Sequence, residues 1–279
     1  NELRAKSGLL RGREFLMKDL YSYSRNQEEH DLFYEKISEA YMRIYRRLGI
    51  GGITYKTFAS GGIFARFSHE FQTISEVGED TVFVDEQKKF AINKEVFADD
   101  ILHELGLDKN SLVEKRAVEV GNIFSVGKKY SDALGLFFID EHGRRSSTIM
   151  GCYGIGISRL MGLLAEHFAD DKGLVWPSAI SPCQIYLIRL GSEPEILKEA
   201  DNVYNRLTDA GISVIYDDRD ARAGEMFADA DLMGLPYRAV VSQNTLTSHS
   251  VELKSRQEDQ HRQLSLDNVV DAVATPTPR

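Results

Sequence analysis

Residues 2–19, with the sequence ELRAKSGLLRGREFLMKD, constrain this chain of 279 residues more than any other segment. An acidic residue is followed by a short basic loop and then by Arg11 and Phe15, four positions apart. A guanidinium group binds phosphate and an aromatic ring stacks on a nucleobase, so this pair can hold a nucleotide. The spacing alone also fits an ordinary packed strand or helix.

A glycine-rich segment, residues 151–159 with the sequence GCYGIGISR, leads from a predicted strand into a predicted helix. Glycines let the backbone approach a ligand closely, and a helix N-terminus favours an anionic group. Arg159 adds a permanent positive charge. The glycine spacing matches neither the dinucleotide-binding fingerprint nor the P-loop. The pattern therefore indicates either a phosphate site or tight packing between strand and helix.

The charge and cysteine content exclude several classes of protein. The net charge of −9 argues against broad, non-specific binding of nucleic acid. A local basic patch still permits recognition of RNA loops and ends, and residues 4–18 supply one through Arg4, Lys6, Arg11, Arg13 and Lys18. Cys152 and Cys183 form neither a disulfide framework nor a zinc motif, which favours a cytoplasmic protein. No apolar run approaches the roughly 20 residues that a membrane span needs.

The hydrophobic pattern predicts two architectures in succession. In the first, Ser24 and Gln27 predict a capping box, followed by an amphipathic helix that ends at Gly49. Strands are expected over 53–84, 117–126 and 134–140, with a mostly helical stretch over 88–115. From residue 184 onward, strands and helices alternate, which predicts a small sheet covered by helices. Pro177 and Pro182 mark the expected boundary.

Taken together, these segments resemble class II aminoacyl-tRNA synthetases, most closely the bacterial-type prolyl enzymes. Residues 2–19 are similar to motif 2 of that family and residues 151–159 to motif 3. The run SHEF at 68–71 is similar to the segment that follows motif 2, and residues 217–241 resemble the anticodon-binding domain. The resemblance implies an α+β fold in three parts: a catalytic core with an antiparallel sheet (1–182), a small α/β anticodon-binding domain (183–274) and a flexible tail (275–279).

The resemblance also implies a reaction and its site residues. The expected function is ATP-dependent activation of proline and its transfer to tRNA(Pro). Arg11 and Arg159 are the expected catalytic residues, and Mg²⁺ is expected to arrive with ATP, with Glu119 as its one candidate protein ligand. The full set of expected ATP-binding residues is Glu2, Arg11, Phe15, Glu119, Gly154, Gly156 and Arg159.

Two further sets of residues follow from the same resemblance. The expected proline-binding residues are Met17, Asp19, Tyr21, His69, Glu70 and Cys152. The expected tRNA-binding residues are Arg4, Asp217, Arg219, Glu225, Phe227, Asp231, Lys254 and Arg256. His69 and Glu70 either contact proline or brace its pocket, and Glu119 is either a nucleotide ligand or an ion-pair partner. The family also implies a homodimer.

The chain departs from the family pattern in two places. Motif 2 normally opens Phe-Arg-x-Glu, and here only Asn1 and Glu2 of it are present. We therefore expect a fragment whose activity on its own is in doubt; the alternative is a non-catalytic tRNA-binding or regulatory relative. Only about thirty-five residues separate Asp80 from Ala117, too few for the editing domain that many bacterial prolyl enzymes carry.

Overall fold

The computed structural model describes residue 3 and residues 5–63 and 65–274. The chain divides into two compact units, Asn1–Leu163 and Leu164–Arg279. The family resemblance had predicted a boundary near residue 182, which stays a prediction. Among the described residues, none of the helices combines the length and apolar character that crossing a membrane requires.

The first unit is built mainly from strands. Its strands are β1 (Met17–Ser24), β2 (Thr54–Ser60), β3 (Phe67–Ile74), β4 (Asp80–Asp85), β5 (Phe90–Asn93), β6 (Val113–Gly127), β7 (Phe137–Ile139), β8 (Arg145–Ser147) and β9 (Ile149–Gly156). Its helices are α1 (Gln27–Arg47), α2 (Asp99–Glu104), α3 (Lys129–Leu134) and the start of α4 (Ile157–Phe168).

Seven of these strands form one sheet in the order β1-β9-β6-β3-β2-β5-β4, and β4 also pairs with β6. The pairings are antiparallel, except that β2 runs parallel to β5. The long helix α1 covers one face of this sheet. Tyr41 and Tyr45 of α1 are buried, and their rings lie 5.2 and 5.5 Å from the ring of Phe71 on β3. These two tyrosines of α1 are therefore part of the core, and the predicted antiparallel sheet is confirmed.

The start of α1 differs from the sequence prediction. Asn26, not Ser24, caps the helix, and its side-chain oxygen accepts a hydrogen bond of 2.9 Å from the backbone N–H of Glu29. Ser24 is the last residue of β1 and is buried. Both residues are good caps, but strand pairing already holds Ser24 in the sheet, so the helix begins two residues later than predicted. The stop at Gly49 is confirmed by its left-handed backbone, with φ of 82°.

Two other elements were predicted incorrectly. The stretch 88–115 is not mostly helical, because it contains strand β5 and the start of β6 as well as α2. The segment that was predicted to lead into a strand at 134 forms helix α3, which ends at Gly135 in the left-handed conformation. Asp140 and Gly143 form a hairpin turn, and β7 and β8 pair on either side of it.

The second unit is a five-stranded mixed sheet with helices on both faces. The strands are β10 (Ile185–Leu190), β11 (Val214–Asp217), β12 (Tyr237–Ser242), β13 (Val251–Ser255) and β14 (Arg262–Leu264), in the order β11-β10-β12-β13-β14. Its own helices are α5 (Pro194–Asp209), α6 (Ala223–Met233), α7 (Gln243–Thr247) and α8 (Leu266–Ala274).

The central strand β10 shows why this sheet needs two helical layers. Ile185 and Leu187 pack with residues of α5 and α8, whereas Tyr186 and Ile188 pack with Met226 of α6. Successive side chains of a strand point to opposite faces, and a strand that is buried on both faces reads as a continuous apolar run. The run IYLIRL is such a sequence. The predicted small α/β domain is confirmed.

Candidate active site

The open face of the first sheet is formed by strands β1, β9, β6 and β3. Their register places Asp19 opposite Gly154, Gly154 opposite Asn122, and Asn122 opposite Glu70. Directly opposed residues of antiparallel strands point to the same face, so these four residues form one row. The next row contains Tyr21 opposite Cys152. A set of residues that lies far apart in the sequence thus shares one surface.

A cavity of about 180 Å³ opens at one end of this face. It is lined by Leu9, Leu10, Arg11, Gly12, Phe15, Met17, Glu119, Val120, Gly121, Asn122, Gly154, Gly156 and Arg159. Six of the seven residues expected to bind ATP are among them. The structure therefore brings together the segments that resemble motif 2 and motif 3, although about 140 residues separate them in the chain.

Arg159 is held in this cavity by three hydrogen bonds. Its Nη1 donates to the carboxylate of Glu119 at 3.1 Å and to the backbone carbonyl of Glu119 at 2.9 Å. Its Nε donates to the carbonyl of Leu10 at 2.9 Å. The other carboxylate oxygen of Glu119 accepts a hydrogen bond of 2.9 Å from Asn122. The guanidinium is thus oriented before any ligand binds, which reduces the entropy that an ordered contact costs.

Arg11 and Phe15 approach the cavity from the loop before β1. Arg11 Nε lies 3.3 Å from a carboxylate oxygen of Glu79, and Lys6 Nζ lies 3.3 Å from the other. The ring of Phe15 is about half exposed, so a planar ligand can reach it. Glu79 was not among the site residues that the sequence singled out. Its contact with Arg11, which is 68 residues away, carries no sequence signal.

The floor of the cavity contains two glycines, of which only one is crowded. A Cβ atom at Gly154 would lie 3.1 Å from Met17 Cε and 3.2 Å from Asn122 Oδ1, both tighter than ordinary contacts. At Gly156 the closest atom, Arg159 Cβ, would be 3.5 Å away. Gly154 therefore keeps open the space between Asn122 and two predicted site residues, Met17 and Asp19, whereas Gly156 is less crowded.

Five of the six predicted proline-binding residues lie on the open face, and four of them are on β1 and β9. Met17, Asp19 and Tyr21 alternate along the exposed side of β1, and Cys152 faces Tyr21 from β9. Burial and the nearby Asp19 carboxylate raise the pKa of the Cys152 thiol, so the thiol is neutral at pH 7. The surface therefore combines a carboxylate with sulfur and aromatic groups. Such a surface suits a small apolar molecule that carries a positive charge.

Glu70 lies on the same face but deeper in the sheet. One of its carboxylate oxygens accepts hydrogen bonds from Gln72 at 2.9 Å and from Asn93 at 3.0 Å. Gln72 also donates to Asp80 at 2.8 Å. Burial, together with the negative charge of Glu119, raises the pKa of Glu70 to about 7. Glu70 therefore exchanges its proton near neutral pH, which the sequence did not indicate.

His69 is not on this face. Its Nδ1 lies 2.9 Å from the hydroxyl of Tyr34 on α1, which also donates to the carbonyl of Ile123 at 3.0 Å. Burial lowers the pKa of His69 to about 4, so the ring is neutral at pH 7. Of the two interpretations of SHEF, the position of His69 favours a bracing role beneath the sheet over contact with proline.

Lys18 also points away from the basic loop and donates to Tyr41 at 2.7 Å.

The remaining predicted residues of the first unit, Glu2 and Arg4, lie outside the described residues. Within the described part of the chain, His, Cys, Asp and Glu do not come together in groups of three or more that could hold a metal ion.

The predicted tRNA-binding residues of the second unit fall into two groups. Asp217 and Arg256 are buried in ion pairs. Asp217 accepts hydrogen bonds from Tyr186 at 2.9 Å and from Arg219 at 2.8 Å, and Arg256 donates to both carboxylate oxygens of Asp170 at 2.7 and 2.8 Å. Their donors and acceptors are engaged within the unit, so the structure does not present them as free surface groups.

The other members of the set are more accessible. Glu225 is exposed at the start of α6. The ring of Phe227 is half-buried, and the guanidinium of Arg238 lies over it, 4.3 Å from the ring centroid. Asp231 and Lys254 are partly exposed, and they line one shallow depression together with Arg238. Arg219 binds Asp217 and Asp229, with about half of its side chain exposed.

Comparisons with known proteins agree with this geometry. Residues 1–168 match the profile of the tRNA synthetase class II core domain (G, H, P, S and T), and residues 184–275 match the anticodon binding domain. The first match covers more than half of the chain. The chain belongs to the class II aminoacyl-tRNA synthetases. Within this family of synthetases, the prolyl branch expected from the sequence is also confirmed by the relatives.

The chain is 33% identical to the proline–tRNA ligase of Rickettsia akari over 98% of its own length and 67% of that protein. It is 36% identical to the proline–tRNA ligase of Rickettsia bellii, over 95% of the chain and 64% of the relative. The fold matches that of a prolyl-tRNA synthetase from Cryptosporidium parvum, solved with L-proline and AMP. That match has a TM-score of 0.74 at 20% identity, over 98% of this chain and 50% of the other. The chain thus spans about two thirds or less of the synthetases it resembles.

Proposed function

We propose that this chain is the ATP-activating and anticodon-binding part of a synthetase that joins proline to tRNA(Pro). The observation that carries the proposal is that Arg11, Phe15 and Arg159 line the same cavity. Two guanidinium groups and one accessible ring are the groups that a nucleoside triphosphate needs. The curated relatives are proline–tRNA ligases, which supports proline as the amino acid.

In the first step, a carboxylate oxygen of proline attacks the α-phosphorus of ATP. A bond forms between that oxygen and phosphorus, and the bond to the bridging oxygen breaks to release pyrophosphate. This reaction requires no protein nucleophile. Arg11 and Arg159 bind the phosphates and stabilise the charge that develops on them, while Phe15 stacks on adenine. Holding the reactants in line contributes roughly 7–11 kcal/mol.

Glu119 is the residue that we propose to hold Mg²⁺ with the nucleotide. Its carboxylate lines the cavity and contacts Arg159. Magnesium is commonly bound by one or two carboxylates together with substrate phosphates. Glu119 is the one carboxylate among the described residues that line the cavity, which fits that pattern. When bound, Mg²⁺ neutralises phosphate charge and polarises the α-phosphate. The protein's own contribution is to orient Glu119 through Asn122.

In the second step, a hydroxyl of the terminal tRNA ribose attacks the carbonyl carbon of prolyl-adenylate, and AMP leaves. We assign recognition of the anticodon to the accessible residues of the second unit, Glu225, Phe227, Asp231 and Lys254. Unstacked RNA bases are read by stacking and by hydrogen bonds to their edges, which these side chains offer. A homodimer, which the family resemblance implies, and a cytoplasmic location, which the cysteine content favours, are part of the same proposal.

Charging of tRNA(Pro) with labelled proline tests the whole proposal. The assay compares this chain with a form extended at its N-terminus to the length of the relatives, and it uses tRNA(Pro) with and without an altered anticodon. We expect proline-specific charging by the extended form and a lower rate with the altered anticodon. Stable binding of tRNA(Pro) without charging by either form would instead support a non-catalytic relative.

A further inference from the structure

The loop that carries Arg11 and Phe15 is fixed at both ends to helix α4. We call residues 9–16 the nucleotide loop. At its C-terminal end, the backbone N–H of Leu16 donates to the hydroxyl of Ser158 at 2.9 Å. The carbonyl of Leu16 accepts hydrogen bonds from the N–H groups of Ile157 at 2.9 Å and Ser158 at 3.4 Å. The contact is therefore reciprocal.

This contact replaces the usual cap of α4. The first N–H groups of a helix have no partner within the helix, and a polar side chain just before the helix usually satisfies one of them. The residue before α4 is Gly156, which has no side chain. The carbonyl of Leu16 takes over that role, so the start of α4 and the end of the nucleotide loop stabilise each other.

The N-terminal end of the loop lies against the second turn of α4. The carbonyl of Leu10 accepts the hydrogen bond from Arg159. A Cβ atom at Gly162 would lie 3.1 Å from Leu9 Cβ and 3.5 Å from Leu10 Cδ2, so the loop rests directly on the bare backbone of the helix. Any side chain at residue 162 would push the loop outward by a few tenths of an ångström.

We propose that Ser158 and Gly162 are positioning residues that fix the nucleotide loop on α4 and thereby set Arg11 and Phe15 relative to Arg159. The positions of all three nucleotide-binding side chains are then set by one helix, α4. Ser158 acts through Leu16 and Gly162 through Leu9 and Leu10, and neither lines the cavity itself. The role of the loop in binding ATP rests on the proposed function, whereas its attachment to α4 does not.

Hydrogen exchange on the unliganded chain tests the attachment directly. The variants are Ser158→Ala, Ser158→Thr, which keeps the hydroxyl, and Gly162→Ala, with Met161→Ala on the exposed side of the same helix as the control. We expect Ser158→Ala to raise exchange at Leu16 roughly fivefold, the effect of one lost hydrogen bond. We expect the amide of Leu16 to exchange at the wild-type rate in Ser158→Thr and Met161→Ala.

Gly162→Ala separates positioning from general stability. Alanine is a better helix former than glycine, so this variant should stabilise α4 while it displaces the loop. We expect faster exchange and faster tryptic cleavage within residues 9–16, with a thermal midpoint no lower than that of the wild type. Exchange in residues 9–16 that equals the wild type in both Ser158→Ala and Gly162→Ala would overturn the proposal.

Binding of a fluorescent ATP analogue completes the test. We expect the affinity to fall several-fold in Ser158→Ala and Gly162→Ala and to be retained in Ser158→Thr. Faster exchange without any loss of affinity would overturn the positioning role. A wild-type chain that does not bind the analogue would count against the proposed function, while the exchange data would still decide whether the loop is attached to α4.

Discussion

Arg159 and Glu119 are 40 residues apart in the chain, and yet Nη1 of Arg159 binds both the carboxylate and the backbone carbonyl of Glu119, at 3.1 and 2.9 Å. Because the other carboxylate oxygen is bound by Asn122, Glu119 has one fixed orientation in the cavity. The pair joins strand β6 to the start of α4, and it places a carboxylate beside a guanidinium in the cavity where we propose that nucleotide phosphates and their metal ion bind.

Glu119→Gln is expected to remove most of the effect of Mg²⁺ on ATP binding. The neutral amide keeps the size of the side chain but is a poor ligand for Mg²⁺, and it no longer repels phosphate. Isothermal titration with and without Mg²⁺ measures both effects. We expect the gain in affinity on adding Mg²⁺ to shrink roughly tenfold, a typical loss when a residue that supports a metal site is replaced. The matched control is Glu114→Gln, on an exposed part of the same strand, and an unchanged gain in Glu119→Gln would contradict the metal assignment.

Gly154→Ala and Gly156→Ala are expected to differ. The Cβ at residue 154 would press on Met17 and Asn122, and such overpacking costs about 1–3 kcal/mol. The Cβ at residue 156 would make only ordinary contacts. We expect the affinity for ATP and proline to fall roughly tenfold in Gly154→Ala and to change little in Gly156→Ala. Equal affinities in the two variants would show that the crowded space above Gly154 is not used.

The raised pKa of Glu70 predicts how the stability of the chain depends on pH. Its pKa is raised from 4.5 to about 7 in the folded chain, so the folded state binds more protons than the unfolded state between these values. The free energy of unfolding contributed by Glu70 is therefore full below about pH 4.5 and is lost as the pH rises through 7. Glu70→Gln imitates the protonated acid and should remove this loss.

Urea unfolding at pH 5 and pH 8 tests this expectation. His69 has a lowered pKa and contributes a dependence of opposite sign below pH 6.5, so the informative quantity is the difference between wild type and variant. We expect the free energy of unfolding of Glu70→Gln, relative to that of the wild type, to rise by roughly 1–3 kcal/mol between pH 5 and pH 8. A difference that does not change with pH would contradict the raised pKa.

The second unit offers a contrast between a buried and an exposed carboxylate. Asp217→Asn is expected to lower the free energy of unfolding by about 1–3 kcal/mol, because Tyr186 and Arg219 lose a charged partner. Glu225→Gln should leave unfolding unchanged and weaken binding of tRNA(Pro) instead. Urea unfolding and filter binding on the whole chain measure the two effects. If Asp217→Asn weakened tRNA binding without loss of stability, and Glu225→Gln did not weaken it, Asp217 rather than Glu225 would be the residue that contacts tRNA.

The motifs allowed the cavity to be predicted, but not the contacts inside it. The sequence indicated Arg11, Phe15, Glu119 and Arg159 through family resemblance. It gave no sign that Asn122 orients Glu119, because that contact depends on a bulge in β6. Gly121 lies opposite Phe71 but Glu119 lies opposite Gln72, so Val120 is an extra residue in β6. Register shifts of this kind are set by tertiary packing and leave little trace in local sequence.

The opposite placement of His69 and Glu70 could have been predicted. Neighbouring residues of a strand point to opposite faces, so only one of the two could lie on the open face of the sheet. The cap of α1 was less predictable, since Ser24 and Asn26 are both favourable and only strand pairing decides between them. The burial of Asp217 and Arg256 likewise depends on partners, Tyr186 and Asp170, that are distant in sequence.

Proline-dependent exchange between ATP and pyrophosphate tests the central claim most directly. The assay uses the chain extended to the length of its relatives, in wild-type form, as Arg159→Ala, and as the control Arg43→Ala on the exposed side of α1, with alanine, threonine and glycine as competing substrates. We predict that the wild type exchanges with proline alone. We predict that the exchange rate falls by at least roughly tenfold in Arg159→Ala and does not fall in Arg43→Ala. Exchange that is unchanged in Arg159→Ala, or absent with every amino acid in the wild type, would contradict the account.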